Sequence, residues 1–193
     1  HDGDRFEALH RLAAASLDAL GFSYRFLYGD ARFVEILLSF VPETERVSLA
    51  DTLYYKDTGR LIETLDRLNI HDDRRTILIE APLLVGDLSI LSELRKICKS
   101  NQSLVSIIDE APRFDDLLYD FVLVRQLSYY SGPVIEAYLQ QSNRRVLSGG
   151  FYDDLSLQFT DKPVKASGFA INLNELLFLT EAGNQSSVTR SQV

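Results

Sequence analysis

The residues of this chain best suited to recognising a small polar molecule crowd its C-terminal half: Arg125, Tyr129, Tyr130, Glu136 and Tyr138, then Ser148-Gly149-Gly150 with Tyr152 and Asp153. An arginine and several phenolic hydroxyls on neighbouring strands offer donors and acceptors of fixed direction, and glycines let a ligand lie against the backbone. The same residues also suit a sheet whose tyrosines pack on helices and whose Gly-Gly is a turn or bulge. Elsewhere the chemistry-bearing types are scattered. His1, His10 and His71 lie far apart, with no i, i+4 pair and no nearby cysteine, so no zinc site is expected. The pairs Asp72-Asp73, Asp115-Asp116 and Asp153-Asp154 fit acidic first turns of helices better than acid/base dyads. Neither a phosphate-loop glycine pattern nor a GxSxG elbow occurs. Cys98, beside Ile97 in a helical pattern, is expected to be a buried thiol rather than a nucleophile. Neither a cofactor nor a metal is implied.

The elements that must position these residues follow from periodicity. Phe6, Leu9, Ala13, Leu17 and Leu20 predict an amphipathic helix over Asp4 to Leu20, stopped by Gly21. Phe22 to Tyr28 alternates as a half-buried strand and should end at Gly29-Asp30. From Ala31 to about residue 118 the period is helical, punctuated at Pro42, Gly59, Asn69-Ile70, Pro82 and Gly86-Asp87, with Asp87 the expected N-cap of the next helix. Tyr119 to Leu127, Pro133 to Gln140 and Arg144 to Ser148 then predict an antiparallel meander, and Ala166 to Leu179 a short strand running into a helix. Residues 1–180 therefore predict one α+β domain, an antiparallel sheet flanked by helices with a helical insertion over about 31–118. The polar, unpatterned stretch 181–193 is expected to be a disordered tail or linker.

Composition narrows the classes of function. The 193 residues are 46% hydrophobic and 25% charged, with no apolar run approaching the roughly 18 residues that a membrane span needs. A formal charge of −8 disfavours a chain devoted to holding a phosphate backbone, so no nucleic-acid partner is expected. One cysteine and no secretory signal fit a reducing cytoplasm. The chain contains no methionine and opens on His1.

Three segments resemble motifs of one family. Leu123 to Gly132 (LVRQLSYYSG), continued by Val134 to Tyr138 (VIEAY), is similar to the first histidine-specific motif of histidyl-tRNA synthetases and their paralogues, L-V-R-G-L-D-Y-Y-x-G followed by V-F-E-A-Y. Ser148 to Asp153 (SGGFYD) is similar to the second, [SA]-G-G-R-Y-D, and Ser167 to Leu177 to class II motif 3, x-G-F-A-x-G-L-E-R-L. The resemblance implies part of a class II aminoacyl-tRNA synthetase-like catalytic domain. It also implies a histidine pocket in which Tyr130 and Tyr152 contact the imidazole, Arg125 lies near the carboxylate, Gly149 and Gly150 form the floor, and Tyr129 belongs to the same motif.

The departures are as informative. Glu175 stands where the family places the motif 3 arginine that grips ATP, Phe151 replaces the arginine of G-G-R-Y-D, Asn172 the motif 3 glycine, and Gln126 and Ser128 a glycine and an aspartate. Loss of a fixed cation at a phosphate site removes several kcal/mol of transition-state stabilisation, so adenylation is expected to fail. That pattern resembles the paralogue lacking aminoacylation, the regulatory subunit of ATP phosphoribosyltransferase, the first enzyme of histidine biosynthesis. The resemblance implies a non-catalytic chain, needed for the activity of a short-form catalytic subunit and involved in feedback inhibition by histidine. It also implies a homodimer within a hetero-oligomer. A divergent histidyl-tRNA synthetase and a binding module for another small ligand are the alternatives. Motifs 1 and 2 are not visible in the sequence; motif 1 would carry the dimer interface, and histidine affinity depends on what those motifs contribute.

Overall fold

Phe6, Leu9, Ala13 and Leu17 recur at helical spacing, and they are the apolar residues that α1 (Asp2–Asp18) buries. After the helix Gly21 takes a φ of 73°, which a side chain would resist. The computed structural model describes residues 2–123, 130–140 and 143–177. The expected tail over 181–193 therefore lies outside the described residues, and so do Arg125, Gln126, Ser128 and Tyr129.

Strand β1 (Tyr24–Asp30) begins two residues later than expected and runs through Gly29-Asp30. Asp30 explains the extension. Its backbone is still extended (φ −143°, ψ 120°) while its carboxylate already accepts from Arg32 N, so one residue ends the strand and caps α2 (Ala31–Ser39). Gly29 lets the turn after β2 approach the strand closely, since a Cβ there would meet Asp120 O and Leu123 Cβ at 2.9 Å.

The next stretch is helical: α3 (Glu43–Tyr54), α4 (Thr58–Arg67), α5 (Asp73–Glu80), a 3-10 turn (Ala81–Leu83), α6 (Ile90–Ile97) and α7 (Gln102–Glu110). Asp57, Asp72 and Asn101 cap α4, α5 and α7 through their side chains. Two expectations shift here. Gly59 lies inside the first turn of α4 instead of between helices, and Asp87 binds Ser89 N and Oγ (2.9 and 2.6 Å), closing a turn before α6 begins at Ile90. Cys98 is buried at the end of α6, and burial pushes its thiol up to about 12. At neutral pH it is a packed thiol, not a thiolate.

The strand expected over Tyr119 to Leu127 is corrected over residues 120–123, and its remainder lies outside the described residues. Strand β2 spans only Leu117–Tyr119, and the chain then turns because the Asp120 carboxylate accepts from Val122 N and its carbonyl from Leu123 N. Strands β3 (Pro133–Leu139), β4 (Arg145–Phe151) and β5 (Ser167–Ile171) follow, with residues 173–177 helical after β5. The sheet order is β2-β1-β3-β4-β5. Every pairing is antiparallel except β1 with β2, which is parallel. The long helical crossover between those two strands permits this, whereas a tight hairpin would have forced an antiparallel pair.

Alternation gives the sheet two unlike faces. Phe26, Tyr28, Ile135, Ala137, Leu147 and Phe151 are buried on the face that meets α1, where the Phe6 ring lies 5.3 Å from Tyr28 and 6.5 Å from Phe151. The opposite face carries Arg25, Leu27, Glu136, Tyr138 and Ser148.

Asp30 ties the buried face together. It is fully buried, bound by Arg32 Nε and Nη2 at 3.0 and 2.8 Å, and accepts from the Tyr28 hydroxyl at 3.3 Å. Asp30→Ala removes a helix cap and strands a buried phenol, and is expected to cost about 2–4 kcal/mol in urea denaturation. A loss below about 0.5 kcal/mol would mean that the cap and phenol carry none of that cost.

Candidate functional site

Of the residues singled out by type, the polar face of the sheet carries Tyr130, Glu136, Tyr138, Ser148 and Gly150, while Arg125 and Tyr129 lie outside the described residues. Strand β4 runs straight through Ser148-Gly149-Gly150, so the pair of glycines is neither a turn nor the site of the sheet's irregularity. The two glycines serve different ends because strand alternation sends them to opposite faces. A Cβ on Gly149 would overlap Phe169 Cβ and Cα at 2.5 and 2.7 Å, so this glycine allows β5 to pack closely on β4. A Cβ on Gly150 would meet Pro133 O at 2.7 Å and the Tyr130 ring at 2.9 Å. Gly150 therefore seats Tyr130, whose hydroxyl shares a hydrogen bond with Ser148 Oγ at 3.3 Å.

Gly168 completes the arrangement and was not among the expected site residues. It is the register partner of Gly150 on β5, and a Cβ there would lie 2.5 Å from the Tyr152 hydroxyl. Two tyrosines thus stand over two adjacent glycines, Tyr130 on Gly150 and Tyr152 on Gly168. The cue in sequence was present in the glycine of Ser167-Gly168-Phe169, but only the strand register shows which glycine it faces.

Tyr152 is held by its neighbour. Asp153 binds Arg5 of α1 through both oxygens (2.6 and 3.0 Å), accepts from Ala166 N at 2.8 Å, and donates its own N–H to Ser131 Oγ at 2.8 Å. One residue, through its carboxylate and its backbone N–H, so ties the end of β4 to α1, to the residue before β5 and to the residue after Tyr130. Partial burial pushes the Asp153 carboxyl up, but the Arg5 and Ala166 hydrogen bonds and the Arg5 charge outweigh it and hold the carboxyl below its usual range. The Arg5 guanidinium also lies 3.6 Å over the centre of the Phe151 ring. A cation therefore stands beside the position where the motif has lost its arginine, but it comes from α1 and is engaged by Asp153.

Next along the same face is Glu136, only 4% exposed, opposite Ser148 in the register. It accepts from the Tyr138 hydroxyl at 2.8 Å and pairs with Arg145. Burial raises its carboxyl above the usual range, while Tyr138 and Arg145 pull in the other direction. Burial beside that carboxylate also raises the Tyr138 phenol. Asp120, at the turn leading into the segment that carries Arg125, is held by Lys56 at 2.9 Å, and Lys56 donates to Pro82 O at 2.7 Å. A lysine of the helical layer thereby anchors the chain entering the first motif. At the other end, Glu175 is paired with Arg144 at 3.0 Å. The position expected to hold a phosphate-binding cation instead holds a neutralised acid.

A five-stranded, largely antiparallel sheet with α1 packed on one face and a helical crossover between its two parallel strands has the architecture of a class II aminoacyl-tRNA synthetase-like domain. The profile described as histidyl-tRNA synthetase matches residues 4–176, and the chain belongs to that family. It is similar to ATP phosphoribosyltransferase regulatory subunits from Oceanobacillus iheyensis (26% identity over 161 residues, 78% of this chain and 40% of that protein) and Leptospira interrogans (33% over 150 residues, 70% and 43%). A solved structure described as an ATP phosphoribosyltransferase regulatory subunit/histidyl-tRNA synthetase from Bacillus halodurans superposes with a TM-score of 0.70 at 25% identity, over 91% of this chain and 48% of that one. The chain spans about two-fifths of the length of the two curated relatives.

The glycines make a paired test. Gly149→Ala forces backbone apart and is expected to destabilise by about 1–3 kcal/mol, whereas Gly168→Ala should cost less and chiefly displace Tyr152, seen as shifted ring resonances by NMR. Equal stability losses would contradict the assignment. The Asp153 pair sets a pH dependence: because its folded pKa is depressed, its stabilisation is present above the unfolded value and lost as pH falls through the folded one. The melting-temperature gap between Asp153→Asn and the unaltered chain should be widest near neutral pH and narrow as the pH falls below the ordinary aspartate range; a constant gap would contradict it.

Proposed function

We propose that this chain is part of a non-catalytic regulatory subunit of ATP phosphoribosyltransferase that binds histidine on the open face of its sheet and acts on a short-form catalytic partner. The observation that carries this reading is the asymmetry of the site. At the amino-acid end, Tyr130 and Tyr152 remain seated over Gly150 and Gly168. At the nucleotide end, Glu175 takes the place of the phosphate-gripping arginine and is itself bound by Arg144. A pocket that keeps amino-acid groups while an acid stands at the motif 3 position suits a sensor, since regulation needs differential binding and no turnover. The regulatory-subunit names of the Oceanobacillus and Leptospira relatives support the same reading. Arg125, Tyr129 and Gly149 belong to it as further residues of the pocket motifs, and a homodimer within the hetero-oligomer as its assembly, in the cytoplasm.

A histidyl-tRNA synthetase is the second reading, named beside the regulatory subunit in the description of the Bacillus halodurans structure. Activity separates the two. Co-expressed with a short-form phosphoribosyltransferase, the full-length protein should co-elute on size exclusion and make that enzyme active and sensitive to histidine, while giving no histidine-dependent ATP–pyrophosphate exchange. Exchange at a measurable rate would reverse the choice. Tyr152→Phe should weaken histidine binding by about 1–3 kcal/mol in calorimetry with little change in melting temperature; unchanged affinity would remove Tyr152 from the pocket.

A further inference from the structure

The alternation that sends Glu136 and Tyr138 to the polar face does the same for Leu27 and Arg25 on β1, because Leu27 pairs with Glu136 and Arg25 with Tyr138. Strand β2 adds Leu118, the register partner of Leu27. These residues, with Gln140 and Asn143 at the turn between β3 and β4, line an open cleft of about 460 Å³. Small-molecule sites occupy roughly 300–1,000 Å³. The cleft is separate from the tyrosine pocket. Gly150, on which Tyr130 sits, pairs with Val134, four residues along β3 from Tyr138 and so about 14 Å away.

Most of the lining is held in place by the protein itself. Tyr138 donates its hydroxyl to Glu136 at 2.8 Å, which fixes the ring as a wall. Gln140 donates its backbone N–H to Ser23 O and its side-chain amide to Tyr24 O, at 3.0 and 3.2 Å, and Asn143 turns the chain at a φ of 53°. Arg25 differs. It is exposed, and among the described residues its guanidinium has no hydrogen bond or ion pair, although the chain carries 28 aspartates and glutamates against 20 lysines and arginines. Glu136, the acid on the neighbouring strand, is engaged by Tyr138 and Arg145. Among the described residues that line the cleft, Arg25 is the one charged group. An unengaged arginine in open solvent needs no explanation, but here it stands beside an apolar floor of Leu27 and Leu118.

That combination selects a class of ligand. One guanidinium satisfies a carboxylate through two parallel N–H···O bonds. A phosphate calls for further cations or a nest of backbone N–H groups, and the other polar side chains of the cleft, Gln140, Asn143 and Tyr138, are neutral. The two leucines and the tyrosine ring favour an apolar body. We propose that this cleft is a second binding site, for a small monocarboxylate with an apolar body: Arg25 holds the carboxylate, and Leu27, Leu118 and the Tyr138 ring hold the rest.

An NMR titration of the full-length protein with phenylacetate tests this, with neutral phenylacetamide and phenyl phosphate as comparisons. Phenylacetate should shift the backbone amides of Leu27, Leu118 and Tyr138 and saturate in the millimolar range, as its small size dictates. It should bind about tenfold more tightly than either comparison compound. Arg25→Gln should abolish that preference at an unchanged melting temperature, and Arg25→Lys, which keeps the charge without the planar fork, should retain part of it. Tyr152→Phe should leave it intact. Equal binding of the amide, tighter binding of the phosphate, a preference that survives Arg25→Gln, shifts centred on Tyr130 and Tyr152, or no saturable shift overturns the proposal.

Discussion

Strand β3 is hydrogen-bonded on both sides, so its backbone has no freedom to rotate and alternation commits each side chain to one face or the other. Ile135, Ala137 and Leu139 enter the core that α1 covers, and Glu136 and Tyr138 are thereby forced onto the open face. A one-residue slip would exchange these sets, burying a glutamate among Phe6, Phe26 and Phe151. The core thus enforces the register of the site. What holds the hydrophobic side in place also fixes where Glu136 sits relative to Ser148, and hence where Tyr130 can reach.

Close approach is the second constraint on the same sheet. Three glycines do separate jobs on two strands: Gly149 admits β5, Gly150 admits Tyr130, and Gly168 admits Tyr152. Each job requires the absence of a Cβ, and the first is structural while the other two shape a surface. The charges are arranged as economically. Arg5 binds Asp153 and covers Phe151, and Arg144 binds Glu175, so two arginines outside the motifs answer substitutions inside them. In both cases the cation is paired with a protein acid.

The outline of the fold was legible because its long elements have strong periods. The α1 stripe, the run of short helices, and the strands β3 and β5 follow from residues a few positions apart. The short β2 was not legible as three residues: Tyr119 to Leu127 alternates well enough for a strand, but Asp120 bends the chain by binding Val122 N and Lys56. The parallel sense of β2 was hidden for a related reason, since only the path of the helical crossover decides it.

In the site, the sequence by itself determined which residue types are present: tyrosines and glycines retained in two motifs, an acid in place of an arginine in the third, and a composition suited to a packed α+β domain. Those are properties of single positions and short spacings, and they survive without coordinates. Tertiary structure decided which groups meet. Arg5 reaches Asp153 across 148 positions of chain, Lys56 reaches Asp120 across 64, and a bulge at Val146 turns Arg145 toward Glu136. No local period encodes such meetings, because they depend on strand register and on how the helical layer closes over the sheet.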